Sequence, residues 1–85
     1  MNIETLMPLS QQAQELKKGI YEHYKGLPYQ VLAVARHSED LEEYVVYQAL
    51  YGEYAIWIRP LEMFLEMVTY NGHVVPRFSW RNEAP

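Results

Sequence analysis

The sequence predicts a mostly β domain: a small antiparallel barrel of five to six strands, with a short N-terminal α-helix and one helical turn near residues 60–64. Three observations carry this. Short runs rich in β-branched and aromatic residues recur along the chain, bounded by Gly and Pro turn signals. The dipeptide Asn71-Gly72 is a strong hairpin signal. At 85 residues the chain makes a single small domain, and strands of this length joined by short turns pack best as a compact antiparallel barrel.

Residues 1–18 form a helical leader. Leu6, Leu9, Ala13 and Leu16 recur at spacings of three and four. Ser10 caps a helix over 11–18, lysines fill its last turn, and Gly19 stops it. The barrel domain spans 19–80. Its first strand covers 19–25 and turns at Lys25-Gly26-Leu27-Pro28; a second, more apolar strand covers 29–36. Residues 37–42 are a polar loop. If all six are loop, Val34 pairs with Val45 and Leu32 with Tyr47, and Ala33 and Ala35 lie beside Tyr44 and Val46. A loop one residue longer or shorter reverses that assignment.

The central hairpin runs from Tyr44 to Arg59. A strand over 44–51 meets Gly52-Glu53, the order of a two-residue type II′ turn. Tyr51 then faces Tyr54, Ala49 faces Ile56 and Tyr47 faces Ile58, all on the core side. Tyr44, Gln48, Trp57 and Arg59 share the opposite side. Residues 60–68 fit either a helical face or a strand; Pro60 suits a first helical position, so 60–64 is read as a helical turn and 65–70 as a strand. That strand pairs with 73–80, Thr69 opposite Val74, Met67 opposite Pro76 and Leu65 opposite Phe78, with Glu66 near Arg77. Pro76 places the last strand at an edge. Residues 81–85 read as a tail.

The hairpin, the Ile-Trp-Ile-Arg-Pro run and Phe64 resemble the second half of an SH3-like barrel, in layout alone. Several blocks stand out: Gly19-Ile20-Tyr21 with His23-Tyr24-Lys25-Gly26, Tyr29 with Val31-Leu32, and Ala35-Arg36-His37-Ser38-Glu39. Val45 through Gly52, Trp57-Ile58-Arg59-Pro60-Leu61 and Met63-Phe64 complete the set. Taken together they resemble a family of short bacterial proteins catalogued as domain of unknown function 1653. The resemblance implies a stand-alone domain without an established activity. Glu22 departs from the pattern, where a basic residue is expected.

Composition narrows the function classes. There is no cysteine, which removes disulfides and thiolate chemistry. A formal charge of −4 speaks against non-specific nucleic-acid binding. With neither a signal peptide nor an apolar span of membrane length, the expected location is cytoplasmic. His23, His37 and His73 lack paired-ligand spacing, so no metal site and no cofactor are expected. The acids at 39–43 belong to a wet loop and keep ordinary acidities, which suits them poorly to general acid catalysis. The candidate surface is Trp57, Arg59, Gln48 and Tyr44, with Arg36 and His37 reaching over from a strand end. An aromatic face beside a guanidinium grips carboxylates, bases or peptide anchors. The expected function is therefore a non-catalytic binding module for a partner protein or small anionic ligand. The alternative is a small enzyme or nucleotide-handling protein using Arg36, His37 and Arg59.

Overall fold

A computed structural model describes residues 7–83. The elements are α1 (Gln11–Glu15), β1 (Gly19–His23), β2 (Pro28–Arg36), β3 (Glu43–Ala49), β4 (Ile56–Pro60), α2 (Leu61–Phe64), β5 (Met67–Tyr70), β6 (His73–Pro76) and β7 (Phe78–Asn82). Pairing is antiparallel throughout. Five strands make one sheet in the order β4-β3-β2-β1-β7, and β5 with β6 makes a separate hairpin. No ladder joins β4 to β7 among the described residues, so the sheet is open and is not closed into a barrel by hydrogen bonds. No helix among those residues is long and apolar enough to cross a membrane.

The leader helix is shorter than its stripe predicts. The Ser10 hydroxyl accepts the Ala13 N–H at 3.1 Å and caps α1, as expected. The helix ends at Glu15 because Leu16 turns extended (φ −66°, ψ 119°). Ala13 is buried, and Leu9 and Leu16 pack against the same core. Leu6 lies outside the described residues. Gly19, at φ 122° in a region closed to most side chains, then turns the chain into β1.

Between β2 and β3 the loop is the expected six residues, and Val34 pairs with Val45. Ala33 and Ala35 lie opposite Val46 and Tyr44. A bulge between Val31 and Ala33 puts Val31, not Leu32, opposite Tyr47 and into the core. The β3–β4 register differs from the expected one. Tyr47 faces Trp57, Val46 faces Ile58 and Gln48 faces Ile56. The turn is not the two-residue type. The Ala49 N–H bonds to the Ala55 carbonyl at 2.9 Å, Tyr54 N–H bonds to the Tyr51 carbonyl at 3.0 Å, and Tyr54 takes a left-handed φ of 57°. The pairing moves by one residue, and every β4 side chain changes face. Both isoleucines are exposed instead of buried.

Pro60 (φ −52°) leads into α2, which resolves the ambiguity at 60–68 and buries Leu61 and Phe64. Asn71 and Gly72, at φ 51° and 78°, turn β5 into β6 with Met67 opposite Pro76 and Thr69 opposite Val74, as expected. Pro76 is on a strand bonded only to β5. The expected strand over 73–80 is broken at Arg77, whose guanidinium lies 3.8 Å from the Glu66 carboxylate. Phe78 therefore pairs with His23 of β1 rather than with Leu65. Arg81 and Asn82, expected in the tail, continue β7, and Arg81 meets Glu22 at 2.6 Å. The core gathers Ala13, Tyr21, Val31, Val45, Tyr47, Leu61, Phe64 and Phe78, with Phe64 stacked on Phe78 at 4.2 Å.

Candidate functional site

The shifted register divides the six predicted site residues. Trp57 and Arg59 face the side of β4 shared with Tyr47 and Val45, whereas Gln48 and Tyr44 remain on the other side with Ile56 and Ile58. Gln48 spends its amide on the hairpin, donating from Nε2 to the Tyr54 carbonyl at 2.9 Å. Arg36 donates to the Met7 carbonyl and so ties the N-terminal segment down. His37 organises its own loop: Nδ1 accepts the Glu39 N–H at 3.1 Å and lies 3.6 Å from the Asp40 carboxylate. Its ring is 6.1 Å from that of Tyr44. Arg36 in β2 and Arg59 in β4 are separated by the whole of β3. The single surface expected from the sequence is three separate places.

Arg59 nevertheless enters a cluster that the sequence reading missed. Its Nε donates to the Tyr47 hydroxyl at 3.1 Å, and the guanidinium carbon lies 5.7 Å from the Phe78 ring centre. The Tyr29 ring makes edge contacts with Tyr47, Tyr51 and Phe78 at 5.5, 5.5 and 5.7 Å. The Tyr29 and Tyr51 hydroxyls share a hydrogen bond. His23 approaches Phe78 at 5.1 Å and Tyr29 at 6.2 Å. One signal for this was available: Tyr29 begins the second strand and Tyr51 ends the third, so any hairpin of β2 with β3 brings the two rings near each other.

The electrostatics are those of a partly dry, positive site. Burial lowers the His23 pKa first, and the charges of Arg59, Lys25 and Arg77 lower it further, so the imidazole is neutral near pH 7. Burial and the Tyr51 hydrogen bond push Tyr29 up to about 12. Among the described residues no carboxylate pairs with Arg59, while Arg77 and Arg81 each have one. Nε is engaged, which leaves both Nη groups of Arg59 without a protein acceptor among those residues. A guanidinium fixed at one nitrogen and open at the other two suits a carboxylate or phosphate. Trp57, two residues before Arg59 on the same side of β4, adds an exposed indole.

A concavity of about 550 Å³ lies apart from this cluster, beside β1 and β7, lined by Lys17, Lys18, Gln30, Leu32, Trp80 and Glu83. There Lys17 Nζ lies 4.1 Å from the Trp80 ring centre, and the indole N–H bonds to the Lys18 carbonyl at 3.3 Å. No three His, Asp or Glu side chains converge as metal ligands would, among the described residues.

Fold and cluster define a class: a small antiparallel β domain whose polar centre is an arginine set among tyrosines. The family model described as Protein of unknown function (DUF1653) matches residues 19–80, and the chain belongs to that family. It is similar to the crystal structure of a protein of this family from Bordetella bronchiseptica. The two share 33% identity with a TM-score of 0.78, over 86% of this chain and 96% of the other. A search of curated proteins finds no match.

Proposed function

We propose that this protein is a non-catalytic binding domain, SH3-like in layout, that takes an anionic group at Arg59. The observation that carries this reading is the half-buried guanidinium with no carboxylate partner among the described residues, held at Nε by Tyr47 and open at Nη. In a protein of net charge −4, a cation left without an acid beside it, with Lys25 and Arg77 also acting on the same histidine, favours an anion from outside the chain. The exposed face of Trp57 supplies apolar contact for whatever carries the anion.

The test is a titration of isotopically labelled protein with sodium acetate and with inorganic phosphate at constant ionic strength. Saturable shifts of the Arg59 side-chain N–H and the His23 ring signals are expected, with a dissociation constant on the order of millimolar for so small a ligand. Arg59→Gln abolishes them. Shifts that spread evenly over Lys17, Lys18 and Lys25 and never saturate would show bulk screening and remove the proposal.

A further inference from the structure

β4 is the outermost strand of the large sheet, and its free edge has a definite chemistry. Two hydrogen bonds fix which groups point outward. On one side of β3, Leu50 N–H bonds to the Pro28 carbonyl at 3.0 Å; on the other, Ala49 N–H bonds to the Ala55 carbonyl at 2.9 Å. Antiparallel bonding alternates along a strand, so Val45–Arg59 and Tyr47–Trp57 are the bonded pairs of the β3–β4 ladder. Ile56 and Ile58 consequently turn their N–H and C=O groups to the open edge, and Pro60 turns its carbonyl there. The side chains are as uncovered as the backbone: Ile56, Trp57 and Ile58 are 60%, 55% and 64% exposed. The strand carries neither lysine nor acid and contains no bulge; of the devices that usually keep an edge from pairing it has Arg59 and the terminal Pro60, and the run Ile56-Trp57-Ile58 carries none.

We propose that β4 pairs antiparallel with β4 of a second copy of this chain, about a two-fold axis through Ile58, so that the two sheets become continuous. A two-fold axis perpendicular to the sheet keeps each face on its own side, so residues of one face meet residues of the same face. Three registers then bring the outward groups together. One sets Arg59 against Arg59, a like-charge pair that opposes association. Another sets Trp57 against Trp57 and strands Arg59 beyond the contact. The remaining one centres on Ile58, which exchanges two hydrogen bonds with its copy. There Ile56 N–H reaches the Pro60 carbonyl of the second copy, the one group that a proline can offer.

In that register each Trp57 lies opposite Arg59 of the second copy, at the close spacing of a non-hydrogen-bonded pair. The indole covers the plane of the guanidinium and leaves its Nη edge open. Every contact is apolar on apolar or aromatic on cation, which is why a second copy fits this edge. A five-residue contact lies near the lower end of specific interfaces, so association in the range of about 10 μM to 1 mM is expected.

The experiment is light scattering over a concentration series, with hydrogen exchange on the same samples. A mass that doubles as concentration rises is expected, with the Ile56 and Ile58 amides gaining protection in step. Ile58→Lys puts like charges face to face on an exposed position and weakens the dimer by at least about tenfold, with unchanged melting in dilute solution. The chain has no cysteine, so Ile58→Cys forms a disulfide-linked dimer cleanly, whereas Trp57→Cys does not. A monomeric mass at every concentration overturns the proposal and leaves the edge to some other chain. So does a dimer untouched by Ile58→Lys, and preferential linking through position 57 overturns the register. Anion binding at Arg59 is read separately, since Ile58 takes no part in it.

Discussion

Replacing Arg59 by Gln tests whether the Arg59–Tyr47 bond holds the centre of the molecule together. Tyr47 is only 4% exposed, and its hydroxyl accepts Arg59 Nε at 3.1 Å. Losing the donor leaves a buried oxygen without its partner, which costs about 1–3 kcal/mol. Arg59 itself is half-buried, so water can take up part of that loss, and a cost of about 1–2 kcal/mol is expected. In a domain of this size that lowers Tm by about 4–16 °C. Tyr47→Phe removes the acceptor but keeps the ring against Phe64 and Phe78, at 5.6 and 5.4 Å. With no acceptor left to orphan, Arg59→Gln should cost about 1 kcal/mol less in the Tyr47→Phe background than in the parent. Urea unfolding of the parent, both single variants and the double variant gives this coupling directly. Additivity within about 0.5 kcal/mol would mean that the bond contributes nothing and the reasoning is wrong.

Three further outcomes follow from titrating groups and the helix cap. Tyr29 is pushed up to about 12, chiefly by burial, so the folded state holds its proton while the unfolded chain loses it from about pH 10. Stability is therefore intact below pH 10 and falls between 10 and 12; tyrosinate absorbance should show the late titration, and Tyr51→Phe should bring it down. Burial and then Arg59 lower the His23 pKa, so the unfolded chain takes up a proton first as pH falls. That contribution to stability is whole above the ordinary histidine value and is lost on acidification below it, and Arg59→Gln should raise the His23 midpoint measured by NMR. The Ser10 hydroxyl and N–H donate to the Glu43 carboxylate at 2.6 and 2.7 Å and hold its pKa low, so this tie loosens as acid protonates Glu43. Ser10→Ala removes the cap and the hydroxyl bond to Glu43 but leaves the backbone N–H bond, costs about 1 kcal/mol by calorimetry and lets the Glu43 pKa rise part of the way toward its ordinary value.

The elements that short-range chemistry determines were legible in the sequence. Asn71-Gly72 adopts positive φ, and the β5–β6 register follows from that dipeptide. Pro60 closes β4 opposite Tyr44 and suits the start of a helix, which gives α2. Ser10 caps α1 because a short hydroxyl is what a free helical N–H needs. Other features depend on residues far away in the chain. Phe78 leaves the β6 line to stack on Phe64 and pair with His23, so the last strand divides at Arg77. Leu32 yields its core place to Val31 through a bulge, which no local turn signal announces.

Tyr54 explains why half of the site was read on the right strand but the wrong face. A left-handed tyrosine costs about 1–2 kcal/mol, and its residue type does not advertise the conformation. Two contacts offset that cost. Gln48 Nε2 holds the Tyr54 carbonyl from within β3, and Tyr29, twenty-two residues earlier in the chain, holds the Tyr51 hydroxyl from β2. The extra loop residue turns Arg59 from the face of Gln48 to that of Tyr47. The Tyr29 ring that anchors the turn also makes an edge contact with Tyr47, whose hydroxyl holds Arg59. A ligand that draws the Tyr51 hydroxyl away from Tyr29 would therefore weaken the restraint on Tyr54, and with it the register that presents Arg59. The turn thereby decides which face carries the cation, although the sequence sets the two apart.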